Sequence, residues 1–160
     1  MNVRDTINDV LVYLFNEIWE LEERAIITEE FKDITNNDMH VLEAVGLEGN
    51  HMSAIAKKLG ITVGSLTTAM NSLVKKHYAE RNRSEADRRI VNISLTEKGR
   101  RAYYHHRDFH DQMTDAVIRH LSEQEVEVLA RALNNLSEFF RDYEAHAEKY
   151  VRKEERETAK

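Results

Sequence analysis

Short polar side chains recur along one face of residues 62–75, where an amphipathic helix is expected. Leu66, Met70 and Leu73 follow one another at helical spacing and would face a core. The opposite face carries hydroxyl, amide and amine groups, from Thr62, Ser65, Thr67, Thr68, Asn71 and Lys75. Such groups can hydrogen-bond to base edges and phosphates, and a threonine methyl can contact the methyl group of thymine. The pattern therefore favours a helix that contacts an A·T-rich DNA duplex.

Two neighbouring features must position that helix. Residues 52–59 form a shorter amphipathic pattern with Ile55 and Leu59 on its apolar face. Gly60 stands where this first helix must end in a left-handed conformation, and Thr62 can cap the second helix. Two short helices joined through a glycine turn are typical of a helix-turn-helix, which places its second helix in the major groove.

A basic hairpin is expected to follow. Apolar residues alternate with polar ones through residues 91–95, which predicts a half-buried strand, and residues 78–83 can pair with it across a turn at 84–87. The hairpin holds four arginines and a serine that could reach phosphates or the minor groove: Arg81, Arg83, Ser84, Arg88 and Arg89. Arg89 could instead pair with Asp87 and stiffen the hairpin. A winged helix that contacts only proteins is the alternative interpretation.

Two motifs resemble one family of regulators. The segment Ala56–Gly60 followed by Thr62, and Asp87–Arg89 followed by Leu95–Gly99, are similar to the MarR family of dimeric winged-helix transcription regulators. The likeness extends over roughly residues 5–145. It implies a mainly α fold with a small β-hairpin, in which a winged helix-turn-helix at 36–96 is flanked by dimerisation helices at 5–30 and 97–150. One departure is His77, where many members carry glycine, so the turn into the wing is expected to be strained or reshaped.

Further segments narrow the resemblance. Residues 31–34, 39–40, 63–68 and 81–85 are similar to MarR-type repressors of fatty-acid synthesis genes in Gram-positive bacteria. This implies a homodimeric repressor of such genes, with acyl carrier protein bearing a long acyl chain as corepressor. Basic candidates for docking that carrier are Lys98, Arg100 and Arg101. The alternatives are a MarR-type regulator of another regulon, released by a small aromatic, lipid or metal ligand, and a helical adaptor that does not bind DNA.

Charge and composition agree with a DNA-binding module on an acidic frame. The chain of 160 residues has a net charge of −6, yet residues 51–101 hold eleven Lys and Arg against four Asp and Glu. This places positive charge where phosphates would be bound. The absence of cysteine excludes disulfides and thiolate metal sites. No nucleophile motif, phosphate-binding loop or membrane-length apolar run occurs, so we expect a cytoplasmic protein that is not an enzyme and needs no cofactor.

The remaining helices are expected to build a dimer interface and a ligand site. A helix over residues 5–27 has more apolar surface than one small core would cover, although packing in the chain's own core would also explain it. Long helices should begin after Thr96 and at a capping box of Ser122 with Glu125, and the charged tail 151–160 should be disordered. Residues that could line a tunnel for an acyl chain, or simply pack together, are Leu14, Ile18, Leu42, His106, Phe109 and Met113.

Three histidines lie close together in the first of these long helices. His106 and His110 are four residues apart, a spacing that can hold a zinc ion, and His105 is adjacent. Zinc would need a third and a fourth ligand, and the sequence sets no carboxylate or cysteine beside the pair. The sequence therefore predicts no metal site, and it assigns His106 to a hydrogen-bonded role at the interface or in an effector pocket.

Overall fold

The computed structural model describes residues 2–83 and 90–158, and its side chains as far as Tyr143. These residues fall into two compact units, Met1–Met113 and Thr114–Lys160, which are described separately. The resemblance and the chain length predict one domain over residues 1–150, a range that spans both units. Ser84, Arg88 and Arg89, three of the predicted wing contacts, lie outside the described residues, as does the turn that joins the two strands of the wing.

The first unit begins with an almost continuous helical stretch. Helix α1 (Val3–Asp9), capped by Asn2, leads through a π-helical turn (Val10–Leu14) into α2 (Phe15–Ile26). The predicted helix over 5–27 is therefore confirmed, with a π turn that the periodicity did not show. Its apolar side chains are largely exposed in this single chain, including Ile7, Val10, Leu11, Leu14, Phe15 and Trp19. Exposed apolar surface of this kind suits contact with another protein surface.

The helix-turn-helix lies on a compact apolar core. Helix α3 (Asn36–Val45) starts at a capping box formed by Thr35 and Asp38, and α4 (Met52–Leu59) and α5 (Val63–Lys75) follow. Gly60 ends α4 at φ 67° and ψ 26°, in the left-handed region that favours glycine. The Thr62 hydroxyl accepts a hydrogen bond from the Ser65 amide and so caps α5. Both predicted helices and both of their caps are confirmed.

A three-stranded antiparallel sheet carries the wing. The strands are β1 (Asn50–His51), β2 (Ala79–Arg83) and β3 (Val91–Leu95), in the order β1-β3-β2. Arg81 pairs with Ile93 in the register of the hairpin. Ile93 and Leu95 are buried whereas Asn92 is exposed, which confirms the predicted alternation. The sequence missed β1, because two residues are too few to show a period.

The turn into the wing has the unusual conformation that the departure at His77 suggested. His77 has φ 63°, which side chains other than glycine rarely adopt. The Thr96 hydroxyl donates a 2.7 Å hydrogen bond to the His77 carbonyl and thereby supports this turn. The same hydroxyl accepts a hydrogen bond from the Gly99 amide, so the predicted cap at Thr96 is also confirmed.

Helix α6 (Glu97–Ile118) packs closely on the start of the wing through Gly99. A Cβ atom at Gly99 would lie 2.0 Å from the Tyr78 carbonyl oxygen, well inside van der Waals contact. Only glycine allows this approach of helix and backbone, which gives a physical reason for the Leu95–Gly99 motif.

The second unit contains the end of α6 and the long helix α7 (Glu123–Thr158). Ser122 and Glu125 form the predicted capping box at its start. The sequence predicts a disordered tail from residue 151, whereas α7 is helical to Thr158; the Glu, Lys and Arg of this segment are strong helix formers. Within the described ranges, no helix combines the length and the apolarity needed to cross a membrane.

Candidate nucleic-acid interface

The outer face of α5 presents the predicted polar residues to solvent. Leu66, Met70 and Leu73 are completely buried on the inner face. The six sequence-predicted contacts on the other face are all exposed: Thr62, Ser65, Thr67, Thr68, Asn71 and Lys75. A helix anchored by three buried side chains can therefore enter a groove without uncovering the core.

The hydroxyls on this face are not equally available. Thr62 Oγ1 and Ser65 Oγ lie 3.0 Å apart, and Thr67 Oγ1 donates a 2.7 Å hydrogen bond to the Val63 carbonyl. These three residues brace the first turns of α5, and Thr67 keeps its methyl group for apolar contact. Thr68 and Asn71 make no hydrogen bond to any other described residue, so their full hydrogen-bonding capacity is open to a ligand.

An open groove joins the recognition helix to the wing. Its volume is about 620 Å³, and it is lined by His51, Met52, Ser53, Val63, Thr67, Arg81, Ile90 and Val91. The groove thus brings two predicted contacts, Thr67 and Arg81, to one surface. Arg83 is exposed on the same strand.

Sequence reasoning missed the contribution of α4 to this groove. His51 Nδ1 accepts a hydrogen bond of 3.3 Å from the Ala54 amide and caps the helix, while Ser53 lies in its first turn. Free amides at a helix N-terminus favour negatively charged groups such as phosphates. The sequence signal for this cap was a polar residue, His51, directly before the apolar periodicity of α4.

The three basic candidates for docking a carrier protein are already engaged within the chain. Lys98 Nζ lies 3.0 Å from Asp33 Oδ2, Arg101 Nε lies 2.8 Å from Glu30 Oε1, and Arg100 donates to the Leu47 carbonyl. Any carrier that docks here would compete with these contacts.

The predicted tunnel residues are distributed between the core and the surface. Leu42 and His106 are completely buried, and Ile18, Phe109 and Met113 are half-buried. Leu14 is 41% exposed in the single chain. Phe109 packs against the core. The tunnel stays a prediction.

The histidine pair of α6 lies beside two residues that the sequence did not connect with it. Glu22 Oε1 is 3.1 Å from His106 Nε2 and 2.8 Å from His110 Nε2, and His40 Nε2 is 3.6 Å from the same oxygen. The expectation that no carboxylate lies beside the pair is therefore wrong. His105 is separate, since its Nε2 lies 3.2 Å from the Ile26 carbonyl and its ring contacts Phe31.

Burial and neighbouring charges shift the pKa values in this cluster. Burial opposes the charge on Glu22, but the hydrogen bond from Asn36 and the three histidines lower its pKa overall. Burial lowers the pKa of His106, and the neighbouring His110 acts in the same direction. The cluster thus combines a carboxylate with a neutral imidazole in the interior of the first unit.

These elements define a class of protein. A helix-turn-helix with an exposed polar recognition helix, followed by a hairpin with exposed arginines and flanked by long helices, is a winged-helix DNA-binding module.

Comparison with known proteins gives the family. Residues 24–106 match the family described as "Transcriptional regulator SarA/Rot". The chain is similar to Streptococcus pneumoniae FabT, solved in complex with DNA, at 38% identity and a TM-score of 0.78, covering 87% of this chain and 98% of FabT. It is also similar to Staphylococcus aureus MepR in a DNA complex, at 28% identity and a TM-score of 0.62, covering 79% of this chain and 94% of MepR. The chain belongs to the MarR-type winged-helix transcription regulators, and within them to the SarA/Rot family.

Curated relatives match over a shorter part of their length. The Bacillus subtilis protein YpoP, an uncharacterized HTH-type transcriptional regulator, is 28% identical over 85 residues, which cover 52% of this chain and 58% of YpoP. Two further Bacillus subtilis regulators, YfiV and YwhA, are each covered over 60% of their length. The chain thus spans about three fifths of the first curated relatives that it matches.

Proposed function

We propose that the protein is a homodimeric repressor that binds an A·T-rich pseudo-palindromic DNA site and controls fatty-acid synthesis genes. Acyl carrier protein bearing a long acyl chain is the proposed corepressor. The observation that carries the DNA-binding part is the exposed polar face of α5 beside the arginines of β2. The likeness to FabT, at 38% identity over 98% of its length, supports the choice of regulon.

A dimer would give the protein two recognition helices. Pairs of such helices contact half-sites about one DNA turn apart, roughly 34 Å, which is why a pseudo-palindrome is proposed. Surface for self-association is available in each unit taken separately. In the first unit it includes Leu11 and Phe15, and in the second Phe139 and Phe140, all more than a third exposed.

The acyl chain would act by favouring one arrangement of the two recognition helices. A ligand can shift DNA affinity only if it binds the competent arrangement better than the other. Each buried methylene contributes about 0.8 kcal/mol, so a long acyl group can bind far more tightly than a short one. The half-buried Ile18, Phe109 and Met113 are the proposed contacts of the chain.

Operator affinity measured with defined carrier forms tests the proposal. The duplex is first recovered by sequencing genomic fragments that the purified protein retains. We expect carrier with a long acyl chain to raise affinity for this duplex, and unacylated and short-chain carrier to leave it unchanged. Equal affinity with all three forms would exclude the corepressor, whereas failure to retain any duplex would exclude the DNA-binding function and favour the adaptor.

A further inference from the structure

Four side chains from three helices meet in the first unit. Glu22 lies on α2, His40 on α3, and His106 and His110 on α6. One ligand atom from each lies within 4.8 Å of the others. Glu22 is 3% exposed and His106 is completely buried, whereas His40 and His110 are half-buried, so the cluster extends from the interior towards the surface.

Four of the six distances between these atoms are close to the edges of a zinc tetrahedron. Bonds of about 2.0–2.1 Å to a tetrahedral ion place neighbouring ligand atoms roughly 3.3 Å apart. Glu22 Oε1 lies 2.8 Å from His110 Nε2, 3.1 Å from His106 Nε2 and 3.6 Å from His40 Nε2. The two nitrogens of His106 and His110 are themselves 3.1 Å apart. The remaining two pairs both involve His40 and lie within 4.8 Å, so the His40 side chain has to move inward to complete the tetrahedron.

Both Nε2 atoms of the histidine pair lie close to the same carboxylate oxygen. Nε2 of His106 and Nε2 of His110 are 3.1 Å from each other, and they are 3.1 Å and 2.8 Å from Glu22 Oε1. A cation bound between them would take a lone pair from each imidazole, and neither ring would need a proton on Nε2.

The outer ring nitrogens face a second carboxylate. Glu43 Oε2 lies 3.4 Å from His106 Nδ1 and 4.0 Å from His40 Nδ1. His106 Nδ1 is fully buried and makes no hydrogen bond to another described residue. Metal-bound histidines usually direct this second nitrogen at a carboxylate, which fixes the tautomer that leaves Nε2 free for the metal. Glu43 occupies that position.

The carboxylate ligand is also held in place. Asn36 Nδ2 donates a 2.9 Å hydrogen bond to Glu22 Oε2, which leaves Oε1 directed at the three imidazoles. Three nitrogens and one carboxylate oxygen suit Zn²⁺, whereas Mg²⁺ and Ca²⁺ prefer all-oxygen sites.

We infer that Glu22, His40, His106 and His110 form a Zn²⁺ site, with Glu43 as the outer carboxylate that orients His106 and His40. The ion joins α2, α3 and α6 within the first unit. Because a ligand that binds only the folded chain stabilises it by mass action, zinc raises the unfolding temperature. This inference does not depend on the proposed regulon.

Metal uptake by the full-length chain tests the site. Protein stripped with a chelator is titrated with Zn²⁺ alone, and bound metal is counted after gel filtration. We expect one ion per chain, an unfolding temperature that rises on loading, and visible d–d absorption of tetrahedral type when Co²⁺ replaces zinc. His110→Ala and His40→Ala, both at half-buried positions, should each weaken zinc affinity at least 100-fold. Glu43→Gln should weaken it about 10- to 100-fold.

His120→Ala is the matched control, because His120 is exposed and lies in the other unit. It should bind zinc as the unaltered chain does. The inference is overturned if the unaltered chain takes up no stoichiometric zinc, if Co²⁺ gives an octahedral spectrum, or if His110→Ala and His40→Ala bind as well as His120→Ala. Circular dichroism checks that each variant is folded, and the measurements on the unaltered chain decide the question where a variant is not.

Discussion

The Tyr78 hydroxyl donates a 2.6 Å hydrogen bond to Asp33 Oδ1, across 45 residues of sequence. Lys98 completes the cluster, with its Nζ 3.0 Å from Asp33 Oδ2 and 4.0 Å from the centre of the Tyr78 ring. Burial and the nearby Asp33 charge raise the pKa of Tyr78, which keeps this hydroxyl protonated as the donor. The Asp33–Tyr78–Lys98 cluster thereby ties the segment before α3 to the start of the wing and to α6.

Removing the hydroxyl should weaken that connection. Tyr78→Phe keeps the buried ring but leaves one Asp33 oxygen without its donor, so we expect the free energy of unfolding to fall by about 1 kcal/mol. The loss is limited because the Asp33 side chain is 41% exposed and keeps Lys98. Urea denaturation measures the change. Tyr104→Phe, at a ring that is 52% exposed, is the control and should have no effect. Equal losses in both variants would contradict the role of the hydrogen bond.

The same cluster predicts a dependence on pH. Burial opposes the charge of Asp33, but the hydrogen bonds from Tyr78 and Lys98 lower its pKa below the ordinary value of 3.8. The stability from its ionised form is therefore present above the unfolded-state pKa and is lost as pH falls through the lower folded-state pKa. Unfolding midpoints of the unaltered chain and Asp33→Asn, measured from pH 7 downward, should differ at neutral pH and converge in acid. A constant difference would contradict this assignment.

Gly99 should tolerate no side chain. In Gly99→Ala the new Cβ would meet the Tyr78 carbonyl oxygen at 2.0 Å, so helix or wing must move, and we expect a loss of more than about 2 kcal/mol. Gly64→Ala is the control: it is also helical, and its nearest neighbour would be 3.8 Å away. That variant should be unchanged or slightly more stable, because alanine favours helix. Thermal unfolding of the two variants measures the contrast.

Replacing His77 by glycine should raise the stability of the fold, in contrast to the substitutions above. The φ of 63° at His77 costs a residue with a Cβ about 1–2 kcal/mol, a cost that glycine avoids. His77→Gly should therefore raise the unfolding temperature, whereas His77→Ala, which keeps the Cβ, should not. A gain in both variants would show that the imidazole, rather than the backbone, is unfavourable.

Local signals made much of the fold predictable. Thr35, Gly60 and Thr62 define helix ends through contacts within a few residues, and alternation alone defined β3. These features depend on neighbours in sequence, which the sequence displays directly. The π-helical turn at Val10–Leu14 has no comparable local signal, since its residues keep an apolar pattern compatible with an ordinary helix.

The same distinction between local and long-range contacts explains which parts of the candidate sites could be predicted. The polar face of α5 was predictable because its residues lie within four turns of one helix. The meeting of Glu22 and His40 with His106 was not, because it depends on how three helices pack. Sequence spacing showed the His106–His110 half of the cluster and gave no sign of the other half. The availability of Thr68 rather than Thr67 is likewise a detail of rotamer and hydrogen bond that residue type does not reveal.

DNA binding itself should separate electrostatic from base-specific contacts. If eight phosphates are contacted per dimer, the log–log dependence of affinity on salt should have a slope of roughly −7, and Arg81→Ala should flatten it by about 2, one contact from each subunit. Thr68→Val removes an exposed hydroxyl that makes no hydrogen bond to another described residue, so it should mainly relax base preference, by about 1–3 kcal/mol at one position. Thr67→Val is the matched control, because that hydroxyl already donates to the Val63 carbonyl, and base preference should change less.

Fluorescence anisotropy on the operator and a scrambled duplex measures all three variants. If Arg81→Ala and Thr68→Val bind every duplex with the affinity of the unaltered chain, the placement of the interface on α5 and the wing is contradicted.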